Sequence, residues 1–138
     1  HKELGHIMWE YVGMGRTEEG LKTALKLLKD IRKEFETNLF IPGSTEGVNI
    51  ELEKALRLND FITMGELIAY DALNRNESCG GHFREEYQTE EGEAKRDDEN
   101  YFYVSCWEYQ GSDDVAPVLY KEPLVYEAIK VQTRNYKS

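Results

Sequence analysis

Apolar residues recur at helical spacing in three segments of the first half of the chain. The first segment predicts a helix over residues 2–12, which the glycines at positions 13 and 15 end. The second begins at Thr17, a residue type that caps helix amino termini, and the pattern breaks at Pro42. The third follows Asn49, another good cap, and runs from Ile50 to about Arg75. These patterns predict three consecutive helices.

The apolar face of the third predicted helix is wider than one packing contact needs. Its core positions would be Leu52, Ala55, Leu56, Ile62, Ala69, Ala72 and Leu73, and the wider face adds Phe61, Met64, Leu67 and Ile68. An exposed face of this breadth often marks a partner surface. The other interpretation, which we favour for most of the face, is that the rest of the chain covers it.

Beyond Arg75 the pattern changes from helical to extended. The pair Gly80 and Gly81 ends any helix, residues 84–100 are acidic with no apolar period, and residues 101–108 alternate as in a strand. A turn at 110–113 and a return strand at 115–120 would form a hairpin, although Pro117 and Pro123 confine that strand to an edge. Residues 126–131 could form a third extended segment.

The predicted fold is therefore mainly α. We predict an antiparallel three-helix bundle, similar to a spectrin repeat, over residues 1–78. Residues 79–138 would add a Gly-Gly-His turn, an acidic loop and an extended tail with a small antiparallel β-hairpin, packed on the bundle as one domain. The length of 138 residues and the 40% hydrophobic content suit a single soluble domain.

Charge and hydropathy exclude some partners. The net charge is −10, and residues 84–100 hold eight acidic residues against three basic ones, which repels a phosphate backbone, so we expect no nucleic-acid binding. No apolar run approaches the roughly 20 residues that span a bilayer, so we expect no direct membrane insertion. The chain has no leader pattern and starts at His1 rather than methionine, so we expect a processed or truncated protein.

The sequence holds no complete catalytic or metal site. Cys79 and His82 have a C-x-x-H spacing, but His1 and His6 lie far away in sequence and a structural zinc ion needs four ligands. The two cysteines, Cys79 and Cys106, fit a reducing compartment as thiols. The acidic run at 97–99 lacks a calcium-loop pattern, and no glycine-rich phosphate loop follows a strand. We predict no catalytic, cofactor-binding or metal-binding residue in this chain.

One cluster remains after this search. Residues 77–86, with sequence ESCGGHFREE, place His82, Arg84 and several carboxylates around Gly80 and Gly81. Adjacent glycines let a backbone approach another surface closely, and an arginine there could pair with a carboxylate of this domain or of a neighbour. The alternative is a helix-terminal turn whose charges satisfy local carbonyl groups. The residues alone leave both interpretations open.

Three segments resemble the flavoprotein subunits of succinate dehydrogenase and fumarate reductase. Residues 77–86 are similar to the family's E-S-R-G-A-H-x-R-x-D, residues 96–101 to R-D-D-E-N-W, and residues 11–21 to H-V-G-x-x-R-T-E-E-G-L. The three matches occur in family order and at compatible spacing. The chain departs from the family at Cys79 (arginine), Gly81 (alanine) and Glu86 (aspartate), and residues 88–95 look like an enlarged loop.

The resemblance implies the carboxy-terminal helical domain of a larger flavoprotein that interconverts succinate and fumarate. FAD and the catalytic groups would belong to amino-terminal FAD-binding and capping domains that this chain lacks. An iron-sulfur subunit would exchange electrons with the flavin and connect it to a membrane anchor subunit, which implies a cytoplasmic protein held peripherally on the inner face of the bacterial inner membrane. The broad face of the third helix and a set of polar residues are the candidate interface positions: Gly80, Gly81, His82, Arg84, Arg96, Asp97 and Asp98.

Two other functions stay open. L-aspartate oxidase, a related flavoenzyme, carries a similar helical domain and arginine-histidine motif, although the tyrosine-rich extended tail fits the succinate and fumarate branch better. A free-standing helical interaction module is the alternative outside enzymology. The sequence does not indicate the physiological direction of the reaction.

Overall fold

Three helices form the body of the molecule. The computed structural model describes residues 1–44, 46–112 and 114–133 of the chain. Helices α1 (Lys2–Val12), α2 (Glu18–Asn38) and α3 (Ile50–Asn74) pack against one another. Their shared core is entirely aliphatic: Leu4, Ile7, Val12, Leu21, Ala24, Leu28, Ile62, Ala69 and Ala72. None of the described helices combines the length and apolar character needed to cross a bilayer.

The starts of α2 and α3 follow from local capping, as predicted. The Thr17 hydroxyl accepts the N–H of Gly20 at 3.0 Å, and the Asn49 side chain accepts the N–H groups of Glu51 and Leu52 at 3.0 and 3.1 Å. Each contact satisfies backbone donors that a helix leaves unpaired at its amino terminus.

Gly65 lets α1 and α2 approach α3 closely. A Cβ atom at this position would lie 3.1 Å from the sulfur of Met8, 3.6 Å from Leu4 and 3.7 Å from Leu28. A buried ion pair also joins α2 to α3, since Arg32 donates to Glu66 at 2.6 Å and to Thr63 at 3.1 Å. The three helices therefore meet most tightly around the second half of α3.

Short strands join the helices to the second half of the chain. Strand β1 (Gly15–Arg16) lies between α1 and α2 and pairs in parallel with β2 (Phe83–Arg84). A single helical turn, α4 (Asp98–Tyr101), precedes the antiparallel hairpin of β3 (Tyr103–Glu108) and β4 (Val118–Pro123). The prediction of a mainly α fold with one small antiparallel hairpin is confirmed.

Three details of the extended region were predicted wrongly. The first strand begins at Tyr103 rather than at residue 101, because Asp97 accepts the N–H of Asn100 and starts α4 there. The return strand is Val118–Pro123 rather than 115–120, since it begins only after Pro117 and pairs with Tyr103 at its far end. Residues 126–131 form no strand; Tyr126 instead meets the ring of Phe102 edge-on at 5.7 Å.

The expectation that the tail covers most of the broad face of α3 is also wrong. Leu56, Phe61 and Met64 are 65%, 58% and 52% exposed. The hairpin contacts the carboxyl half of the helix, where the indole N–H of Trp107 donates to Asp71 at 2.8 Å and its ring meets Tyr70 at 5.0 Å. Helix α3 is therefore left with an uncovered apolar face that extends from its amino half to Met64.

Candidate functional site

The Gly-Gly-His segment forms a tight turn just after α3. Cys79 and His82 bond to each other through their backbones, with N–O distances of 2.8 and 3.1 Å, and Gly80 between them has a φ of +59°. That backbone angle lies in the left-handed region, which glycine adopts without strain. The C-x-x-H spacing thus closes a turn. Within residues 1–44, 46–112 and 114–133 no group of three or more metal-ligating side chains comes together.

His82 connects two parts of the fold through its two ring nitrogens. Nη1 of Arg16 lies 2.8 Å from Nδ1, and Nε2 lies 2.9 Å from the carbonyl oxygen of Arg75. Arginine has only donors and a carbonyl only accepts, so Nδ1 must accept and Nε2 must donate. The contacts therefore require a neutral imidazole with its proton on Nε2. Burial lowers the pKa of His82, and the nearby guanidinium groups lower it further against the opposing effect of the Arg75 carbonyl.

Arg84 is buried inside the domain, which corrects its prediction as an interface residue. Its side chain is 1% exposed and donates to the carbonyl groups of Ala72 and Leu73, at 3.0 and 3.3 Å, and to Glu86 at 3.1 Å. Those carbonyl groups lie in the last turn of α3, where the helix leaves acceptors unpaired. Arg84 is thus an internal cap of α3 and offers no guanidinium surface to a partner.

Ser78 fixes the backbone at Arg84. The Ser78 hydroxyl accepts the Arg84 N–H at 2.8 Å and donates to the Arg84 carbonyl at 3.1 Å. Glu86 continues the same network, because its carboxylate accepts both from Arg84 and from the N–H of Glu18 at the start of α2. Burial raises the pKa of Glu86, but these donors outweigh burial and leave the pKa lowered. Glu86 therefore acts as a carboxylate cap at the start of α2.

Arg75 and Glu77 form a second network that sequence reasoning missed. Arg75 donates to Glu77 at 2.9 Å and to the carbonyl groups of Tyr101 and Tyr103 at 3.0 and 3.1 Å, and its guanidinium lies 4.9 Å from the Tyr103 ring centre. Glu77 is 3% exposed and also accepts the N–H of Asp97 at 3.0 Å. The pair fastens the hairpin to the end of α3. The signal in the sequence was that Arg75 lies two residues before Glu77, the first residue of segment 77–86.

Of the remaining candidates, Arg96, Asp97 and Asp98 lie in the acidic segment and Gly80 and Gly81 in the turn before His82. Arg96 pairs with Asp98 at 2.5 Å and donates to the Gln132 carbonyl at 3.3 Å. Asp97 caps α4 and binds the side chain of Asn100 at 2.9 Å. Gly80 and Gly81 are exposed at the tip of the turn. His82 is the predicted residue that the structure brings into a groove.

The groove that His82 lines has a volume of about 560 Å³. Arg16, Asp71 and Arg75 supply its charges, Cys79 its thiol, and Ile68 and Val104 part of its apolar wall. The exposed apolar residues Phe61, Met64 and Ile68 follow one another at helical spacing on α3 and lead into it. We call this stripe together with the groove the docking face.

The chain is similar to known proteins over more than half of its length. Residues 1–136 match the family described as "Fumarate reductase flavoprotein C-term". The L-aspartate oxidase 2-b of Nicotiana tabacum is 38% identical over 86 residues, which are 62% of this chain and 13% of that protein. The fumarate reductase flavoprotein subunit of Proteus vulgaris is 30% identical over 99 residues, which are 72% of this chain and 16% of that protein.

The fold matches a solved structure over nearly the whole chain. A chain of E. coli quinol fumarate reductase superposes with a TM-score of 0.77 and 23% identity, covering 95% of this chain and 21% of that one. At that identity the likeness concerns the fold. In each of these comparisons the chain spans about a fifth or less of the length of the protein it matches.

Proposed function

The chain belongs to the family of fumarate reductase flavoprotein carboxy-terminal domains, and from that premise we propose that it is the carboxy-terminal domain of a longer, FAD-dependent flavoprotein subunit that interconverts succinate and fumarate. In this proposal FAD and the catalytic groups lie in amino-terminal domains, and this chain has a structural, docking role. The family match across residues 1–136 is the observation that carries the proposal. The small share of each relative that the chain spans supports its being one domain of a larger subunit.

The docking face is the proposed contact with the FAD-binding and capping domains. Its apolar stripe is about half exposed, with Phe61 at 58% and Ile68 at 43%, and its groove adds fixed polar groups such as Arg16 and His82. Large apolar side chains beside a few oriented polar groups are typical of interfaces between domains that stay together.

Further partners follow from the same proposal. An iron-sulfur subunit would exchange electrons with the flavin, and a membrane anchor subunit would hold the complex peripherally on the cytoplasmic face of the inner membrane. The exposed turn at Gly80 and Gly81 and the Arg96, Asp97 and Asp98 segment are the proposed contacts on this side. The acidic surface disfavours direct docking on anionic lipid, which supports attachment through another protein.

L-aspartate oxidase is the second candidate. The identity to the tobacco enzyme, 38%, exceeds the 30% to the Proteus fumarate reductase subunit. The succinate and fumarate branch remains preferred because the matching family is described by fumarate reductase and covers residues 1–136, whereas the tobacco enzyme matches 62% of this chain.

An activity measurement on the full-length gene product distinguishes the candidates. We expect a purified protein with stoichiometric FAD that reduces fumarate with a reduced viologen dye and does not release hydrogen peroxide from L-aspartate. Peroxide release from L-aspartate with little fumarate reduction would identify the aspartate oxidase branch. A reading frame with no flavin domain upstream would contradict both and leave the free-standing interaction module.

The docking role has its own matched pair of variants in the full-length protein. Phe61→Asp introduces a negative charge on the docking face. Phe40→Asp is the same substitution outside that face, at a phenylalanine that follows α2 and is 85% exposed. We expect Phe61→Asp to lower flavin content and soluble yield severalfold and Phe40→Asp to leave both unchanged. Equal behaviour of the two variants would contradict the assignment of this face.

A further inference from the structure

We propose that His82 is a proton-operated latch: in its neutral form it ties Arg16, between α1 and α2, to the carboxyl end of α3, and protonation of the ring releases Arg16 into the groove. This device lies within the folded chain. It does not depend on the reaction that the longer protein catalyses.

The geometry admits only one protonation state of the ring. Arg16 donates to Nδ1 at 2.8 Å, and Nε2 donates to the Arg75 carbonyl at 2.9 Å. A second proton would have to occupy Nδ1, where it would point at the Arg16 guanidinium. Because a guanidinium cannot accept a hydrogen bond, one of the two groups must then move away.

The groups around His82 are mostly positive, so they cannot balance the positive charge of a protonated ring, and movement of Arg16 is favoured instead. The charged and titratable groups that face the ring are Arg16 of β1, Asp71 of α3, Arg75 directly after α3, Cys79 of the turn, Arg84 of β2 and Tyr103 of β3. Three of them are guanidinium groups and one is a carboxylate. Glu77 and Glu86 are already engaged by Arg75 and Arg84, so among the described residues that line the groove Asp71 is the carboxylate left to balance an imidazolium.

Arg16 is the movable partner because its remaining anchors are local. Its Nε donates to the carbonyl groups of Val12 and Gly13, at 3.2 and 2.8 Å, whereas Arg75 and Arg84 are each held by several distant groups. The backbone of Arg16 belongs to the short β1–β2 pairing, in which its carbonyl accepts the N–H of Glu85 at 2.9 Å. Loss of the side-chain contact therefore weakens this pairing first.

The direction of the pH effect follows from linkage. Burial, aided by the neighbouring guanidinium groups, lowers the pKa of His82 in the folded chain, so the opened state binds the proton more readily than the closed state. The latch is fully closed above the ordinary histidine pKa of about 6.5. The stability of the closed latch falls as the pH drops from the ordinary histidine pKa to the lowered pKa of His82. At pH values below that lowered pKa it falls no further.

Two measurements on the 138-residue chain test the latch. In ¹⁵N-histidine NMR spectra at about pH 7.5 we expect the Nε2–H tautomer and, on titration, a midpoint below about 6.5. In hydrogen exchange we expect the protection factor of the Glu85 amide to fall about tenfold for each pKa unit by which that midpoint is lowered. A protonated Nδ1 at neutral pH would overturn the proposal, and this result needs no variant.

The matched variant is His82→Gln, whose amide oxygen can accept from Arg16 and whose amide N–H can donate to Arg75 without titrating. We expect it to abolish the pH dependence of the Glu85 protection factor. The control, His6→Gln, alters an exposed histidine of α1 and should keep the pH dependence of the parent chain. If lowering the pH reduced the Glu85 protection factor equally in His82→Gln and in the parent chain, the latch proposal would be overturned.

Discussion

The two halves of α3 differ in how their apolar residues are used. In the carboxyl half the inward positions are small, and Gly65, Ala69 and Ala72 let α1, α2 and the Arg84 segment pack directly on the helix. In the amino half the residues outside the core are large, and Leu56 and Phe61 stay more than half exposed. The inward residues of the carboxyl half therefore organise this chain, while the amino half and the outward residues Met64 and Ile68 present a surface.

This difference shows that apolar residues contribute differently to stability when they are buried and when they are exposed. A buried apolar side chain contributes to folding stability through the area that it removes from water, whereas an exposed one contributes almost nothing until a partner covers it. Position on the helix, rather than residue type, therefore decides which residues of α3 stabilise the domain.

The largest expected effect comes from two adjacent residues of α3. Ile62 is fully buried and Phe61 is 58% exposed. We expect Ile62→Ala to lower the free energy of unfolding by about 3–4 kcal/mol, because it removes apolar contacts and leaves a cavity. Phe61→Ala should change it by less than about 0.5 kcal/mol. Urea unfolding of the 138-residue chain measures both, and a comparable cost at the two positions would remove the distinction between the inward and the outward residues of α3.

Arg84 tests the difference between the two halves of α3 through polar contacts. Arg84→Met keeps much of the side-chain volume but deprives the last turn of α3 and Glu86 of their donor, so we expect a loss of about 3 kcal/mol. The matched control is Arg57→Met in the amino half, where an exposed arginine pairs with Glu53 one turn earlier. Surface pairs of this kind contribute at most about 1 kcal/mol. A stable Arg84→Met variant in urea would show that the internal cap does not hold the carboxyl half together.

How much the sequence predicts depends on the range of the interactions involved. The starts of α2 and α3 were predictable because Thr17 and Asn49 cap donors only two or three residues away. The charged residues around Gly80 and Gly81 also placed His82 and Arg84 in one candidate cluster. Capping and motif spacing are both local properties of the chain.

The errors concern contacts that cross between distant segments. Nothing local to Arg84 reveals that it will meet carbonyl groups of α3, twelve and eleven residues earlier, and so be buried. The Arg75 and Glu77 network likewise depends on carbonyl groups of Tyr101 and Tyr103, which reach it only once the hairpin has folded back. The path of the tail across the bundle determines which part of α3 is covered. The alternation of apolar and polar residues within the tail predicts strands but not that path.

The smallest of the expected effects tests the close approach at Gly65. A valine at this position must displace the Met8 sulfur, which would lie 3.1 Å from the new Cβ, and its methyl groups must also fit beside Leu4 and Leu28. We expect Gly65→Val to lower the free energy of unfolding by about 2 kcal/mol through overpacking. Gly5→Ala is the control, since nothing lies within 4 Å of its Cβ position on α1. There the gain in helix propensity should raise stability by up to about 1 kcal/mol. A stabilising effect of both substitutions would mean that the carboxyl half of α3 is no more tightly packed than its free surface.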